Sequence, residues 1–104
     1  MIVAIVTFKL SNPWTLSQAS NVFKSTAPRY LGMPGLVCKH YFLSENGEMT
    51  GGIYFWESKV LAEACYKHNS QWSEIVKKVY GVVPNIVYAE IPVTVDNIKK
   101  QINQ

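Results

Sequence analysis

The chain has 104 residues, with ten Lys and Arg against seven Asp and Glu, for a net charge of +3. This length fits one domain of roughly 100 residues and excludes two-domain enzymes, repeat arrays and long linkers. Nine of the ten basic residues are Lys, and a lone Arg29 argues against a reader of nucleic acid, since guanidinium is the group that pairs bidentately with phosphate and guanine.

Charged residues make up 16% of the chain and apolar ones 48%. A small domain averages about 25% charged, so the shortfall predicts a second buried face and hence a homodimer. Cys38 and Cys65 have neither CxxC nor zinc spacing, and one pair is too few for a disulfide scaffold; both read as reduced packing residues of a cytoplasmic protein. The apolar start from Met1 to Phe8 has no basic segment before it and is cut by Lys9, far short of the ~18 residues of a membrane span. It reads as a strand, with no export signal and no membrane partner.

Ile2 to Phe8 is apolar and β-branched on both faces, the pattern of a central strand buried on two sides. Asn12-Pro13 closes it. Thr15-Leu16-Ser17-Gln18 is a capping box, and Leu16, Ala19, Val22 and Phe23 make one helical stripe, so a helix is predicted from about 16 to 26, with Pro28 ending or kinking it. Leu36 to Ser44 and Met49 to Trp56 are two β-rich runs around Asn46-Gly47, a strong hairpin signal. With Asn46-Gly47 as the loop, Lys39 lies opposite Tyr54, Tyr41 opposite Gly52 and Val37 opposite Trp56. Val37, Lys39, Tyr41, Tyr54 and Trp56 then share one face, and Cys38, His40, Phe42, Ile53 and Phe55 the other.

Ser58 caps a helix through Leu61, Ala64 and Cys65, and Ser70 starts another through Trp72, Ile75, Val76 and Val79 that Gly81 stops. Asn85 to Pro92 is the last strand, and Pro92 places it on an edge. The order is that of an α+β, ferredoxin-like βαββαβ sandwich, a four-stranded antiparallel sheet with its helices on one face. Residues 1–95 form this domain. Residues 96–104 are a polar tail, frayed or reaching a neighbour. The uncovered sheet face, being apolar, calls for another chain or a ligand.

No hydrolase motif, phosphate loop or metal-ligand spacing occurs; Asp96 is the only Asp, and His40 and His68 stand apart from other ligands, so no metal site is expected. The third strand lacks the leading basic and aromatic residues of an RNA-binding strand, as Met49 and Gly51 show. What stands out is aromatic density: thirteen Phe, Trp and Tyr residues, many of them with a polar atom that needs a partner when buried. Lys39, between Val37 and Tyr41 on one strand face, is either a snorkelling lysine or part of a pocket wall. Gly51-Gly52 inside a strand marks a bulge or a place where the backbone is closely approached.

The series Pro34-Gly35-Leu36, Lys39, Tyr41, Gly51-Gly52-Ile53-Tyr54, Trp56-Glu57-Ser58, Ala62-Glu63 and Tyr66, with Trp72 and Tyr80-Gly81 beyond, resembles the YdhR-like mono-oxygenase family. That family is of the antibiotic-biosynthesis mono-oxygenase type, a dimeric α+β barrel, and the likeness runs over about residues 1 to 96. It implies two subunits joined sheet to sheet, with a pocket in each between sheet and helices, and Trp56 in the pocket wall. Thr7 stands where the haem-degrading branch has an asparagine, and Tyr66 or His68 falls near that branch's helix histidine, so haem degradation is not expected.

The reading that follows is a mono-oxygenase without metal, flavin or haem, in which O₂ attacks a small aromatic or polycyclic phenol or enol. Lys39 would favour the substrate anion, Trp56 and Tyr54 would donate hydrogen bonds to a developing oxyanion, and His68 or a tyrosine would carry the proton. Thr7, Tyr41, Tyr66 and Trp72 complete the substrate-binding set. The alternative is a non-catalytic dimer that holds a small ligand in the same fold.

Overall fold

A computed structural model describes all of residues 1–104. The elements run β1 (Ile2–Lys9), α1 (Leu16–Thr26), a 3₁₀ turn (Ala27–Tyr30), β2 (Leu36–Leu43), β3 (Met49–Trp56), α2 (Lys59–Tyr66), α3 (Gln71–Tyr80), β4 (Asn85–Glu90), β5 (Thr94–Asp96) and β6 (Gln101–Asn103). The first four strands to appear form one antiparallel sheet in the order β2-β3-β1-β4, which is the predicted ferredoxin-like arrangement with β4 on an edge.

Local chemistry sets the boundaries. The Thr15 hydroxyl accepts from the Gln18 N–H at 3.1 Å while the Gln18 side chain accepts from the Thr15 N–H at 2.8 Å, the reciprocal cap that starts α1. Pro28 at the head of the next turn converts the chain to 3₁₀ geometry and carries Tyr30 toward the sheet. Ser58 and Ser70 cap α2 and α3 through their hydroxyls, and Gly81 ends α3 in the left-handed conformation at φ 71°. The covered face of α2 is Ala62 and Tyr66, one step round from the Leu61-Ala64-Cys65 stripe read from sequence; Leu61 is 37% exposed. Leu16 likewise lies outside the α1 stripe and faces solvent.

The hairpin pairs Lys39 with Tyr54 and Tyr41 with Gly52 as predicted, but not Val37 with Trp56. The register slips between Leu36 and Cys38, so Leu36 stands opposite Trp56 and Val37 bulges out, 55% exposed. The slip moves Leu36 onto the core side, where it packs against the cluster. The turn is also longer than two residues, since Gly47 N–H donates to Ser44 and Ser44 N–H to Met49.

Ile2, Ala4, Val6 and Phe8 of β1 join Tyr54, Trp56, Ala62, Tyr66, Trp72 and Val76 in one core between the sheet and its helices. The expectation of a β1 buried on both sides fails within one chain. Val3, Ile5 and Thr7 point to the helix-free face, where Ile5 is 38% exposed, because nothing in the chain covers that side. The tail is not frayed: Thr94–Asp96 and Gln101–Asn103 pair as a small separate hairpin, its turn held by the Asp96 carboxylate accepting from the Ile98 and Lys99 N–H groups, each at 3.0 Å. No helix is long and apolar enough to cross a membrane.

Candidate functional site

Register places Lys39, Tyr54, Ala4 and Tyr88 in one row across the helix-covered face. Ala4 is small, so its neighbours close over it. The Lys39 ammonium lies 3.5 Å from the ring centre of Tyr30, 3.8 Å from that of Tyr41 and 4.4 Å from that of Tyr54. Three ring faces thus surround one cation, each contact favouring the charged form by about 0.5–2 kcal/mol.

Gly52 makes the box possible. A Cβ there would stand 2.9 Å from Lys39 Cε and 2.8 Å from Tyr54 Cε1, so a side chain at this position would push the lysine stem and the ring apart. Gly51 answers to a different neighbour, the backbone oxygen of Val6, on which its Cβ would fall. The glycine pair is therefore a place of close approach, first by the adjacent strand and then by the lysine.

Every ring in the box is fixed by a hydroxyl contact. Tyr41 shares a 2.7 Å hydrogen bond with Thr26 at the end of α1 and stacks on Phe23 at 4.6 Å between centres. The Tyr54 hydroxyl accepts from the Trp72 indole N–H at 3.1 Å and meets the Tyr30 hydroxyl at 3.5 Å. Behind them, Trp56 is fully buried and donates its indole N–H to the Tyr66 hydroxyl at 3.0 Å. No buried side-chain nitrogen or oxygen lacks a partner.

Burial sets the electrostatics. It brings the Lys39 ammonium down to about 7, opposed by Cys65, while the ring faces also favour the charge. Burial raises the Tyr30 phenol to about 12, the Tyr54 phenol well above its ordinary value and the Cys65 thiol to about 11, and it raises Tyr41 and Tyr66 as well. The result is an amine moved toward neutrality among hydroxyls that stay protonated. It can accept a proton; they can only donate.

A cavity of about 260 Å³ adjoins this amine, walled by Tyr30, Leu31, Gly32, Leu36, Lys39 and Tyr41 among others. A second cavity, about 490 Å³, lies between α3 and the approach to β4 and includes Tyr66, His68, Trp72, Val76 and Ile86. Trp72, on the wall of the second cavity, is hydrogen-bonded to Tyr54, whose ring meets Lys39 on the wall of the first.

Of the residues expected in one site, Lys39, Tyr41 and Tyr54 do come together. Trp72 and Tyr66 back them from the helices, whereas Trp56 is a core residue whose N–H is already engaged and which reaches neither cavity. His68 is exposed and lines the second cavity, not the one at Lys39. Helix α2 ends at Tyr66, and the Lys67–Ser70 turn carries His68 away from the lysine. Thr7 belongs to the opposite sheet face, because alternation along β1 sends Val6 and Phe8 to the core and Thr7 away from it. Tyr30, absent from the expected set, is the ring nearest the ammonium; the signal for it was Pro28, which forces the short turn that aims it.

His, Cys, Asp and Glu side chains form no group of three or more that could hold a metal ion. The cysteines are free, Cys38 exposed on the open face and Cys65 half-buried on α2.

No family model matches the chain, and no curated protein matches it. Among solved structures it is similar to a mono-oxygenase from the gene ActVA-Orf6 of Streptomyces coelicolor, in complex with the ligand nanaomycin D. The TM-score is 0.66 at 19% identity, over 85% of this chain and 84% of that one. It is also similar to NE2512, a protein of unknown function from Nitrosomonas europaea, with a TM-score of 0.62 at 14% identity over 86% and 87% of the two chains. The four-stranded antiparallel sheet with helices on one face is thus the α+β, ferredoxin-like fold found in that mono-oxygenase.

Proposed function

We propose that the chain is a homodimeric mono-oxygenase in which a small aromatic or polycyclic phenol binds beside Lys39 and reacts with O₂ without metal, flavin or haem. The observation that carries this reading is the Lys39 amine, brought down to about 7 and ringed by three tyrosines at the edge of a cavity. The likeness to a mono-oxygenase crystallised with the ligand nanaomycin D supports it at the level of fold.

The neutral amine takes the phenol proton, and the resulting ammonium pairs with the phenolate. Phenolate carbon is electron-rich enough to reduce O₂; one oxygen atom enters the ring and the other leaves as water as the phenol becomes a quinone. A wall of neutral, low-polarity rings on one side of the pair strengthens the ammonium–phenolate attraction. Dimerisation through the open sheet face is supported by surface: the chain exposes 7204 Å², against roughly 6,000 Å² for a compact chain of its mass, and Ile5 and Val87 sit side by side on that face at 38% and 48% exposure.

An oxygen electrode with 1,5-dihydroxynaphthalene as probe tests the reading. Consumption of one O₂ per quinone formed, reduced at least about tenfold in Lys39→Met, is the expected result. Binding of the probe with no oxygen uptake would leave the second reading, a ligand-holding dimer without turnover, which the mostly apolar cavity wall favours.

A further inference from the structure

An amine acts as a nucleophile when it has shed its proton and can be reached, and the surroundings of Lys39 meet both conditions. The groups that face it are Tyr30 from the 3₁₀ turn, Tyr41 from its own strand, Tyr54 from β3 and Cys65 from α2. All four are acids that burial keeps protonated, so none offers a negative charge at neutral pH. No carboxylate is among the groups acting on the ammonium, which burial brings down to about 7. The cavity of about 260 Å³ beside it has room for a one-ring molecule.

We infer that Lys39 is an imine-forming lysine, whose Nζ condenses with the carbonyl carbon of a small aromatic aldehyde or ketone seated between the amine and the cavity wall of Tyr30, Tyr41 and Leu36. The lone pair on Nζ forms the N–C bond, the carbonyl π pair moves to oxygen, and one Nζ proton passes to that oxygen to give a neutral carbinolamine. The hydroxyl takes a second proton and departs as water while the nitrogen lone pair forms the C=N bond, and the remaining Nζ proton is returned to the donor. Amine and carbonyl thus yield imine and water, with no electron transferred to or from an outside reagent. Tyrosines held neutral beside the amine supply the kind of proton donor the departing hydroxyl needs. Aromatic carbonyls are selected because the walls are ring faces. This chemistry goes beyond the oxygenation proposed above, since it uses a carbonyl, not a phenol, and needs no O₂.

The test is reductive trapping on the full-length chain: benzaldehyde with sodium cyanoborohydride at pH 7, under nitrogen, followed by peptide mapping of all nine lysines. A lysine at the ordinary value of roughly 10.4 is neutral in about one molecule in 2,500 at this pH, so even after the lower nucleophilicity of a weaker base, Lys39 should carry at least about tenfold more label than any other lysine. Benzyl alcohol, which has the ring without the carbonyl, should slow labelling at Lys39 and leave the other eight unchanged. Label at Lys39 no greater than at the other lysines overturns the assignment. So does selective labelling that benzyl alcohol fails to slow, because the carbonyl compound would then not be using the cavity. Neither readout depends on oxygenase activity.

Discussion

Trp72 donates its indole N–H to the hydroxyl of Tyr54 at 3.1 Å, tying the first turn of α3 to the middle of β3. Both side chains are buried, at 6% and 2% exposure, so the bond has no water to replace it. Trp72→Phe removes the donor and part of the ring. The expected cost is about 1–3 kcal/mol in a urea titration, together with weaker ligand binding at Lys39 as Tyr54 loosens. A variant as stable as the parent would show that the contact is incidental.

Trp56→Phe should separate stability from binding. The indole is fully buried, donates to Tyr66 and touches neither cavity, so its loss is expected to cost about 1–3 kcal/mol while the affinity for an aromatic ligand changes less than about threefold. Calorimetric titration with 1-naphthol on the variant measures the second quantity directly.

The two central glycines should respond differently to Ala. At Gly51 the added methyl falls on the Val6 backbone oxygen, which cannot turn aside; a loss above about 3 kcal/mol or failure to fold is expected. At Gly52 it meets the flexible Lys39 stem and the Tyr54 ring, and a loss of about 1–3 kcal/mol is expected, with Lys39 displaced toward water and labelling by benzaldehyde reduced. Denaturation midpoints of the two variants, side by side, decide the order.

Stability should rise with pH just above neutrality. Folded Lys39 releases its proton near 7, whereas an unfolded lysine keeps it to roughly 10.4, so between these values the unfolded chain holds more protons and folding gains as pH increases. From pH 7 to 9 the gain is about 1–2 kcal/mol. Above the ordinary thiol and phenol values of 9.0 and 10.0 the sign reverses, because Cys65 and Tyr30 hold their protons to about 11 and about 12 when folded. Thermal melts from pH 6 to 11 should therefore show a maximum near pH 9, and Lys39→Met should lose the rising limb.

In solution the chain should sediment as a homodimer at micromolar concentration. Removal of residues 93–104, which takes away the β5–β6 hairpin, should weaken association, because an isolated two-stranded hairpin with Val95 and Ile102 both 63% exposed lacks a core of its own. A monomer of 11.8 kDa at all concentrations would rule out the sheet-to-sheet pairing.

The parts of the fold that depend on neighbouring residues were legible in the sequence. Thr15 and Gln18 define the start of α1, Pro28 its end, and Asn46-Gly47 lies in the turn that sets the Lys39–Tyr54 register. The bulge at Val37 was not legible, because it arises from fitting Leu36 against Trp56 across the sheet, a long-range demand with no local signature. Nor was the second hairpin, whose turn depends on one Asp96 carboxylate accepting two N–H groups within a polar segment. The site was half visible: alternation placed Lys39, Tyr41 and Tyr54 together, but a strand pattern says nothing of what α1 and the turn after it bring over them, so Tyr30 was missed. His68 was grouped with the lysine by fold analogy, and the actual length of α2 separates them.

The two ends of the sheet are not equivalent. At one, the β2–β3 turn is stapled to the segment before α1, where Trp14 N–H donates to Gly47 at 2.9 Å and Leu10 N–H to Glu48 at 2.8 Å, with Gly47 pressed against the Trp14 backbone so that no side chain fits there. At the other, Leu31 is 90% exposed and Gly32 has open space around it, and both border the cavity at Lys39. The wall of the cavity at Lys39 is therefore least crowded at Leu31 and Gly32, and it is on that side that the space beside the amine is open.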